Sequence, residues 1–498
     1  MRWLRFLVVL TAWPAVTSGQ CPDGSPPPCE RAIARAPASN SVAVLYFDNL
    51  SRDTADAYLA DGLTEEIIVR LGQVRRLVVK SRFEVQRVRG NRTMTDPATL
   101  GRTLGATYLV SGSVRKAGSR VRVNVELVRA AARARVWGDV FDRTSADILG
   151  IEEEIAIAAV SGIMGQILPD ERAALTRRPT EDAQAYDLYL RGRSFFSQYT
   201  EQGIRRALDF YGQAVARDST FATGWAALAE AWAELADYWV APREPYRRAM
   251  DAAERAVALD STSAAAVVAL VYPVLTIDHD LIRAERLARR GIALDSTLPQ
   301  AHVNLAIALW AQGRLEESRR ETERAWTLDS LSNFTVSYHL YGLWMSRRYD
   351  DMDAFVQRVG TIIPASDRLL WEGIALIGRN DCRTAAERLK DATGLPPFPT
   401  VELAVALACA GRPAEARAEL ESLLVARRRT YIMPDMIAAV YAALGQPDSA
   451  FLWLDRAYEE NATYLLWLNI ATYWDPIRDD PRFHDLVRRV GLPVLGRH

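Results

Sequence analysis

Two hydropathy periods divide the chain. Between residues 107 and 141 apolar and polar positions alternate: Val121, Val123, Val125 and Leu127 interleave with Arg120, Arg122, Asn124 and Glu126. Period two predicts a strand with one wet face. Ala117-Gly118-Ser119 folds it back on a strand at 107–116, and 136–141 predicts another strand after a turn at 130–134. Upstream, 41–47 (SVAVLYF) is a near-continuous apolar run, as a buried strand requires, and 77–79 reads as a second short strand. Asp61-Gly62-Leu63-Thr64 reads as a turn with Thr64 capping a helix, Glu65 and Glu66 facing its dipole, and Ile67, Ile68 and Leu71 at helical spacing. Asp96 and Pro97 open a short helix to Leu104. A longer helix is predicted over 147–168, ended by Pro169.

From Asp182 onward the period is helical, and a phrase recurs. It stands at Ala216-Arg217-Asp218-Ser219, Ala258-Leu259-Asp260-Ser261, Ala293-Leu294-Asp295-Ser296 and Thr327-Leu328-Asp329-Ser330, with Asp spacings of 42, 35 and 34 residues. A period near 34 marks stacked helical hairpins, which cannot bury their apolar faces singly and which work through surfaces. Eight pairs are predicted, at 184–220, 221–262, 263–297, 298–332, 333–366, 367–397, 398–430 and 431–465, the second lengthened by an insertion at 238–246. In the fourth, Ser318, Thr322 and Ala325 are small where two helices must approach closely. The Ser after each Asp is placed to cap the following helix. Asp480, Pro481 and the apolar face Phe483, Leu486, Val487 and Val490 predict a terminal helix that lids the last pair.

Composition adds limits. The 498 residues are 49% hydrophobic and 25% charged with a net charge of −1, so nothing electrostatic points to nucleic acid. The basic residues are almost all Arg; the lysines are Lys80, Lys116 and Lys390. At the N-terminus Arg2 and Arg5 precede an apolar run at 6–16 and the small residues 17–19. That run is too short for a bilayer core of about 30 Å, so 1–19 is expected to be a cleaved export signal and the chain periplasmic or secreted. Membrane association would require an uncleaved signal; Gln20 before Cys21 speaks against a lipid anchor. Residues 20–40 read as a linker in which Cys21 and Cys29 flank a Pro-rich stretch and could close a small loop. Cys382 and Cys409 fit small buried hydrophobes better than a second disulfide.

Catalytic frames are missing. The sequence has no phosphate-binding loop, no dinucleotide fingerprint and no HExxH. All five histidines lie at 279 or beyond, so the region 41–178 has neither His nor Cys for metal, base or nucleophile roles. Asp278-His279-Asp280 reads as a polar turn between helices, and Gly112-Ser113 and Ser161-Gly162 lack the full nucleophile-elbow frame. No catalytic, cofactor or metal residues are assigned, and the expectation is a non-enzyme. The candidate partner-binding residues are Trp239, an aromatic anchor in the insertion; Asn304, at the head of the best-formed unit; and Arg319 and Arg320, able to meet a carboxylate although such pairs usually form a solvated outer face.

The fourth unit, NLAIALWAQGRLEES…ERAWTLDS, resembles the tetratricopeptide repeat consensus, as does the second through Trp225, Leu228, Ala229, Ala249 and Ala256. Residues 41–178 resemble the TolB N-terminal/FlgO-like domain through SVAVLYFDNLS, YLADGLTEEII, LGATYLVSGSVRKAGSRVRVNVELV and VWGDVFDR, with Ala130-Ala131-Ala132 where relatives carry a Gly in the turn. These resemblances imply an α+β domain followed at 184–465 by an all-α superhelical array with a capping segment at 466–498. They imply a scaffold for protein or peptide partners among envelope components. The other reading is an envelope sensor in which 41–178 binds a small molecule or nucleotide and the repeats relay to a partner.

Overall fold

The computed structural model describes residues 38–53, 56–86, 88–89, 96–330, 332–360, 362–392 and 397–495; the expected signal, Cys21 and Cys29 lie outside these. A mixed sheet opens the fold, with β1 Ser41–Val44, β2 Asp48–Asn49, β3 Val78–Val79, β4 Tyr108–Ala117, β5 Arg120–Arg129 and β6 Ala134–Thr144. Its order is β3-β1-β4-β5-β6, with β2 also on β4. β1 runs parallel to β3 and β4, and β4, β5 and β6 form an antiparallel meander. The period-two strand behaves as its pattern requires: Val121, Val123, Val125 and Leu127 are buried. They face helices α1 Ala57–Gly72 and α4 Ile148–Met164. On the other face, α2 Arg82–Gln86 and α3 Pro97–Leu104 cover Ala43 and Leu109. Asp96 caps α3 by accepting from the Thr99 amide. The β5–β6 turn closes without the missing glycine because Arg133 takes φ +51° and pairs with Asp96.

Two boundaries differ from the sequence reading. The first helix starts at Ala57, not Thr64, so Asp61-Gly62 lies inside a helix. Gly62 is there for space: a Cβ on it would sit 2.9 Å from Leu190 Cδ2. Glu65 and Glu66 are therefore buried mid-helix groups instead of dipole charges. At the other end α4 stops at Gly165 (φ +74°), and Pro169 opens the next helix, α5 Pro169–Leu175, as a first-turn proline.

The array follows as helix pairs: α6 Ala183–Phe196 with α7 Glu201–Arg217; α8 Ala222–Tyr238 with α9 Arg243–Leu259; and α10 Ala264–Ala269 and α11 Val271–Pro273 with α12 Leu281–Leu294. Next come α13 Pro299–Ala311 with α14 Leu315–Leu328, α15 Asn333–Met345 with α16 Tyr349–Val359, and α17 Ala365–Gly378 with α18 Cys382–Leu389. α19 Phe398–Cys409 with α20 Pro413–Arg427 and α21 Pro434–Ala443 with α22 Pro447–Glu460 complete the pairs, and α23 Pro481–Arg489 ends the chain's helices.

The second pair is long because both its helices run 17 residues; the connection holds only residues 239–242, so there is no nine-residue insertion. The repeated phrase works through its Asp. Asp218, Asp260 and Asp295 each accept from the amide and hydroxyl of the Thr two residues on, which fixes the turn between pairs. The Ser that follows does not cap the next helix; Ser263 caps α10. A disulfide joins Cys382 and Cys409, whose Cα atoms are 5.7 Å apart, correcting the expectation of two free thiols. The two lie on neighbouring first turn and last turn, of α18 and α19, and Cys409 is exposed.

Candidate partner-binding surfaces

The first helix of each pair lines the inside of the array, and that inside is occupied. After α22 the chain turns inward instead of only capping the last pair. Residues 462–477 carry Ala462, Tyr464, Leu465, Leu466, Trp467, Leu468, Ile470, Ala471, Trp474 and Ile477, all buried. Their contacts reach most of the inner helices. Asn461 donates its amide to the Thr276 carbonyl at 2.9 Å. Thr463 Oγ1 is 3.2 Å from both Asp237 Oδ1 on α8 and the Tyr246 hydroxyl on α9. The Trp467 ring packs against Trp310 of α13 at 6.0 Å and Tyr341 of α15 at 5.4 Å between centroids. Tyr464 meets Phe398 at 5.8 Å, and Tyr473 packs on Trp344 at 5.1 Å while donating its hydroxyl to Glu402 of α19. Arg347 closes the exit with two bonds to Asp475, at 2.8 and 2.9 Å. Only then does α23 reach the outside of α22, through Arg482–Asp448 and Arg489–Asp455.

The lining is aromatic and acidic. Tyr238, Tyr272, Tyr338 and Tyr341 surround the segment, and the Tyr272 and Tyr338 hydroxyls are 2.7 Å apart. Burial pushes the Asp237 carboxyl up to about 6, against hydrogen bonds from Tyr246 and Thr463. Burial likewise pushes Glu402 up to about 7, against its bond from Tyr473, and Asp435 up to about 7. An uncompensated carboxylate in a dry site prefers its neutral form. The sequence signal for this lining was available but unused: Glu402 and Asp435 stand inside otherwise apolar first helices, VELAVALA and PDMIAAVY.

The array also curls enough to bring early and late pairs together. Tyr238 meets Phe398 edge-on at 6.4 Å. At this seam Trp239, Val240, Glu201, Arg205, Arg427, Arg429, Tyr431 and Glu460 line a cavity of about 530 Å³. Trp239 is thus half-buried at a seam, in edge contact with Tyr238 at 5.7 Å. Asn304 is elsewhere and only 3% exposed. Its amide donates to the Val268 carbonyl at 3.1 Å and accepts from Gln300, clipping the third pair to the fourth, so in this conformation it offers a partner no surface. Arg319 pairs with Glu316 and Glu323 on the outer helix α14, and Arg320 is exposed beside it. The structure does not bring the four together. The Asp278-His279-Asp280 triplet is the inter-helix turn its sequence suggested: His279 sits at φ +52° and Asp280 caps α12. Among the described residues no group of three His, Cys, Asp or Glu side chains could hold a metal ion, and no helix is long and apolar enough to cross a membrane.

The α+β region is fused to the array rather than tethered to it. Apolar residues of α1, α4 and the sheet form one core with Tyr186, Tyr189 and Leu190 of α6. Charged groups are buried at the same place. Glu65 is held below the usual carboxylate range: burial opposes ionisation, but Arg193 and Arg82 outweigh it. Glu152 is fully buried, 3.6 Å from Arg70, and accepts from the Tyr186 hydroxyl at 2.7 Å. Burial, reinforced by Glu66, pushes it up to about 8.

The tetratricopeptide repeat model matches residues 299–324 and 397–422, within the fourth and seventh pairs. The chain carries tetratricopeptide repeats after an N-terminal mixed-sheet region. It is 29% identical over 295 residues to "Putative adenylate cyclase 3" of Rhizobium meliloti (strain 1021), a match covering 59% of this chain and 43% of that protein. The chain therefore spans less than half the length of this curated relative. Among solved structures, yeast Tom70 aligns over 87% of this chain and 85% of its own at 12% identity and a TM-score of 0.40. PilW, a type IV pilus biogenesis factor, aligns over 41% and 90% at 14% identity and a TM-score of 0.34.

Proposed function

We propose that this chain is an exported, non-enzymatic scaffold that binds a protein or peptide segment through the inner face of its repeat array. The observation that carries this is the inner face itself, which already holds an aromatic segment, wound into two short 3-10 turns, by specific side-chain contacts spread over several pairs. The region 41–178, as a TolB N-terminal/FlgO-like domain, would dock to a second envelope component. Trp239, Arg319 and Arg320 are the surface candidates for contact outside the interior.

The test is in-cell crosslinking of the tagged chain in its native host, with mass spectrometry of what is captured. A small reproducible set of envelope proteins crosslinked within 184–465 is the expected result; background proteins alone, with the chain soluble and monomeric, would sink the scaffold reading. Because the related protein is named for a cyclase, purified chain should also be incubated with ATP and Mg²⁺, with no cyclic nucleotide expected.

The sensor reading keeps one observation in its favour: a core continuous from the sheet into α6 gives a bound ligand a rigid route to the repeats. A thermal-shift screen tests it, and the shared core means that the full chain must be used. No shift across nucleotides and small anions would remove it.

A further inference from the structure

We propose that residues 462–477 are a releasable internal ligand of the array, seated while Asp237 and Glu402 are protonated and expelled as they ionise, so that rising pH opens the inner face to a partner segment. This rests on the scaffold reading above and adds to it a regulation and a partner chemistry.

The geometry comes first. The segment is held at two polar points inside an aromatic interior. At one, Thr463 and Tyr246 share Asp237. At the other, Tyr473 donates to Glu402, which is 2% exposed. Neither carboxyl forms an ion pair with an arginine or lysine among the described residues. Around Asp237 stand Glu234 and Tyr238 of α8, Tyr246 of α9, Tyr272 of α11, Tyr338 and Tyr341 of α15, and Tyr464 of the segment itself. Around Glu402 stand Tyr473 and Tyr341, with Asp435 of α21 facing the same Tyr473. Every one of these groups is neutral or acidic. Glu65, at the other end of the molecule, differs in meeting Arg193 and Arg82 directly, and they hold it ionised.

With the segment seated Glu402 is buried and Asp237 half-buried, so ionisation is unfavourable at both, more so at Glu402, and water can solvate them fully once it leaves. The sign follows. Both acids titrate higher when buried than when exposed, so docking is at full strength below the ordinary carboxylate range and weakens as pH rises through about 6 and 7. The segment's outer anchors, Asn461 on Thr276 and Arg347 on Asp475, involve neither of these carboxyls and keep it tethered for return. A competing segment should resemble the resident one: apolar and aromatic, with hydroxyl donors and few charges, as in TYLLWLNIATYW.

The experiment is hydrogen exchange with mass spectrometry on the full chain at about pH 5 and about pH 9, corrected for intrinsic rates. Exchange of 462–477 is expected to accelerate at the higher pH at least tenfold more than that of the β4–β5 hairpin, whose core responds only to Glu152 at the junction. The Asp237→Asn, Glu402→Gln double variant should lose most of that pH dependence, Asp435 and Glu234 supplying what is left, and stay more protected than wild type at the higher value. Equal protection of wild-type 462–477 at both pH values, or loss shared with the hairpin, would overturn the proposal. So would a folded double variant that retains the wild-type pH dependence. No partner is needed for this readout. Crosslinking that finds none would therefore defeat the scaffold reading alone, and a captured partner with an immobile segment would defeat this proposal alone.

Discussion

Gly62 of α1 faces Leu190 of α6 so closely that a Cβ on the glycine would lie 2.9 Å from Leu190 Cδ2 and 3.3 Å from its Cβ. It is one of the contacts through which the α+β region and the first repeat share a core. Gly62→Val should overpack it and cost about 1–3 kcal/mol in urea unfolding. Gly72, at the end of the same helix, meets nothing within 4 Å of a built Cβ. Gly72→Ala should therefore be neutral or stabilise by about 0.5–1 kcal/mol through helix propensity. If the two substitutions behave alike, the packing argument fails.

The repeat phrase makes a local prediction. Asp295 accepts from both the Thr297 amide at 2.9 Å and its hydroxyl at 2.7 Å. Asp295→Ala should cost about 1 kcal/mol, and Asp295→Asn, which keeps an acceptor oxygen, distinctly less. The same ordering should appear at Asp218 and Asp260, since each makes the same two bonds. Chemical denaturation of the six variants checks it.

The disulfide Cys382–Cys409 closes a loop of 27 residues. Constraining a loop of that length in the unfolded chain is worth about 3.5 kcal/mol. The Cys382→Ala, Cys409→Ala double variant should be less stable by about that amount, and wild-type protein in reductant should approach it. Since Cys409 is exposed, the bond should be accessible to reductant without global unfolding.

Glu152 predicts a pH effect at the fused junction. Its carboxyl is pushed up to about 8 by burial and by Glu66. A raised acid pKa stabilises the fold at pH below the ordinary carboxylate range, and that contribution is lost as pH climbs through about 8. Glu152→Gln keeps an acceptor for the Tyr186 hydroxyl and cannot ionise. Its stability should fall less than that of wild type between about pH 7 and pH 9. Identical slopes would mean that Arg70 neutralises the wild-type carboxylate.

How much of this was legible follows from where the information sits. Strand period, the Asp96-Pro97 start and the Asp480-Pro481 start are local signals, and the structure realises each. Asp61-Gly62 misled because a helical glycine chosen for contact with Leu190, 128 residues away, looks locally like a turn. Pro169 misled for a related reason: proline both ends and begins helices, and only Gly165 upstream decided which. Trp239 was singled out as exposed, but the curl that places it at a seam with Arg427 and Tyr431 depends on distant pairs. The inward turn of 462–477 was hidden because two short 3-10 turns, Thr463–Trp467 and Thr472–Trp474, buried on several sides are too short to show a helical or strand period; the apolar run TYLLWLNIATYW is the trace they leave.

Trp467 separates a docked segment from a permanent core element. Its ring is 4% exposed and touches Trp310, Tyr341 and Tyr464. In a cooperative core, Trp→Ala costs about 3–5 kcal/mol of global stability. If the segment opens by itself, the loss falls on the local equilibrium, because opening then needs no unfolding of the repeats. Trp467→Ala should therefore speed exchange across 462–477 strongly while the urea midpoint of the repeat array moves little. Trp310→Ala, removed from the other side of the same contact but in helix α13, should lower both together. A Trp467→Ala variant that loses global stability as fully as Trp310→Ala would show the segment to be part of the array's core and not its ligand.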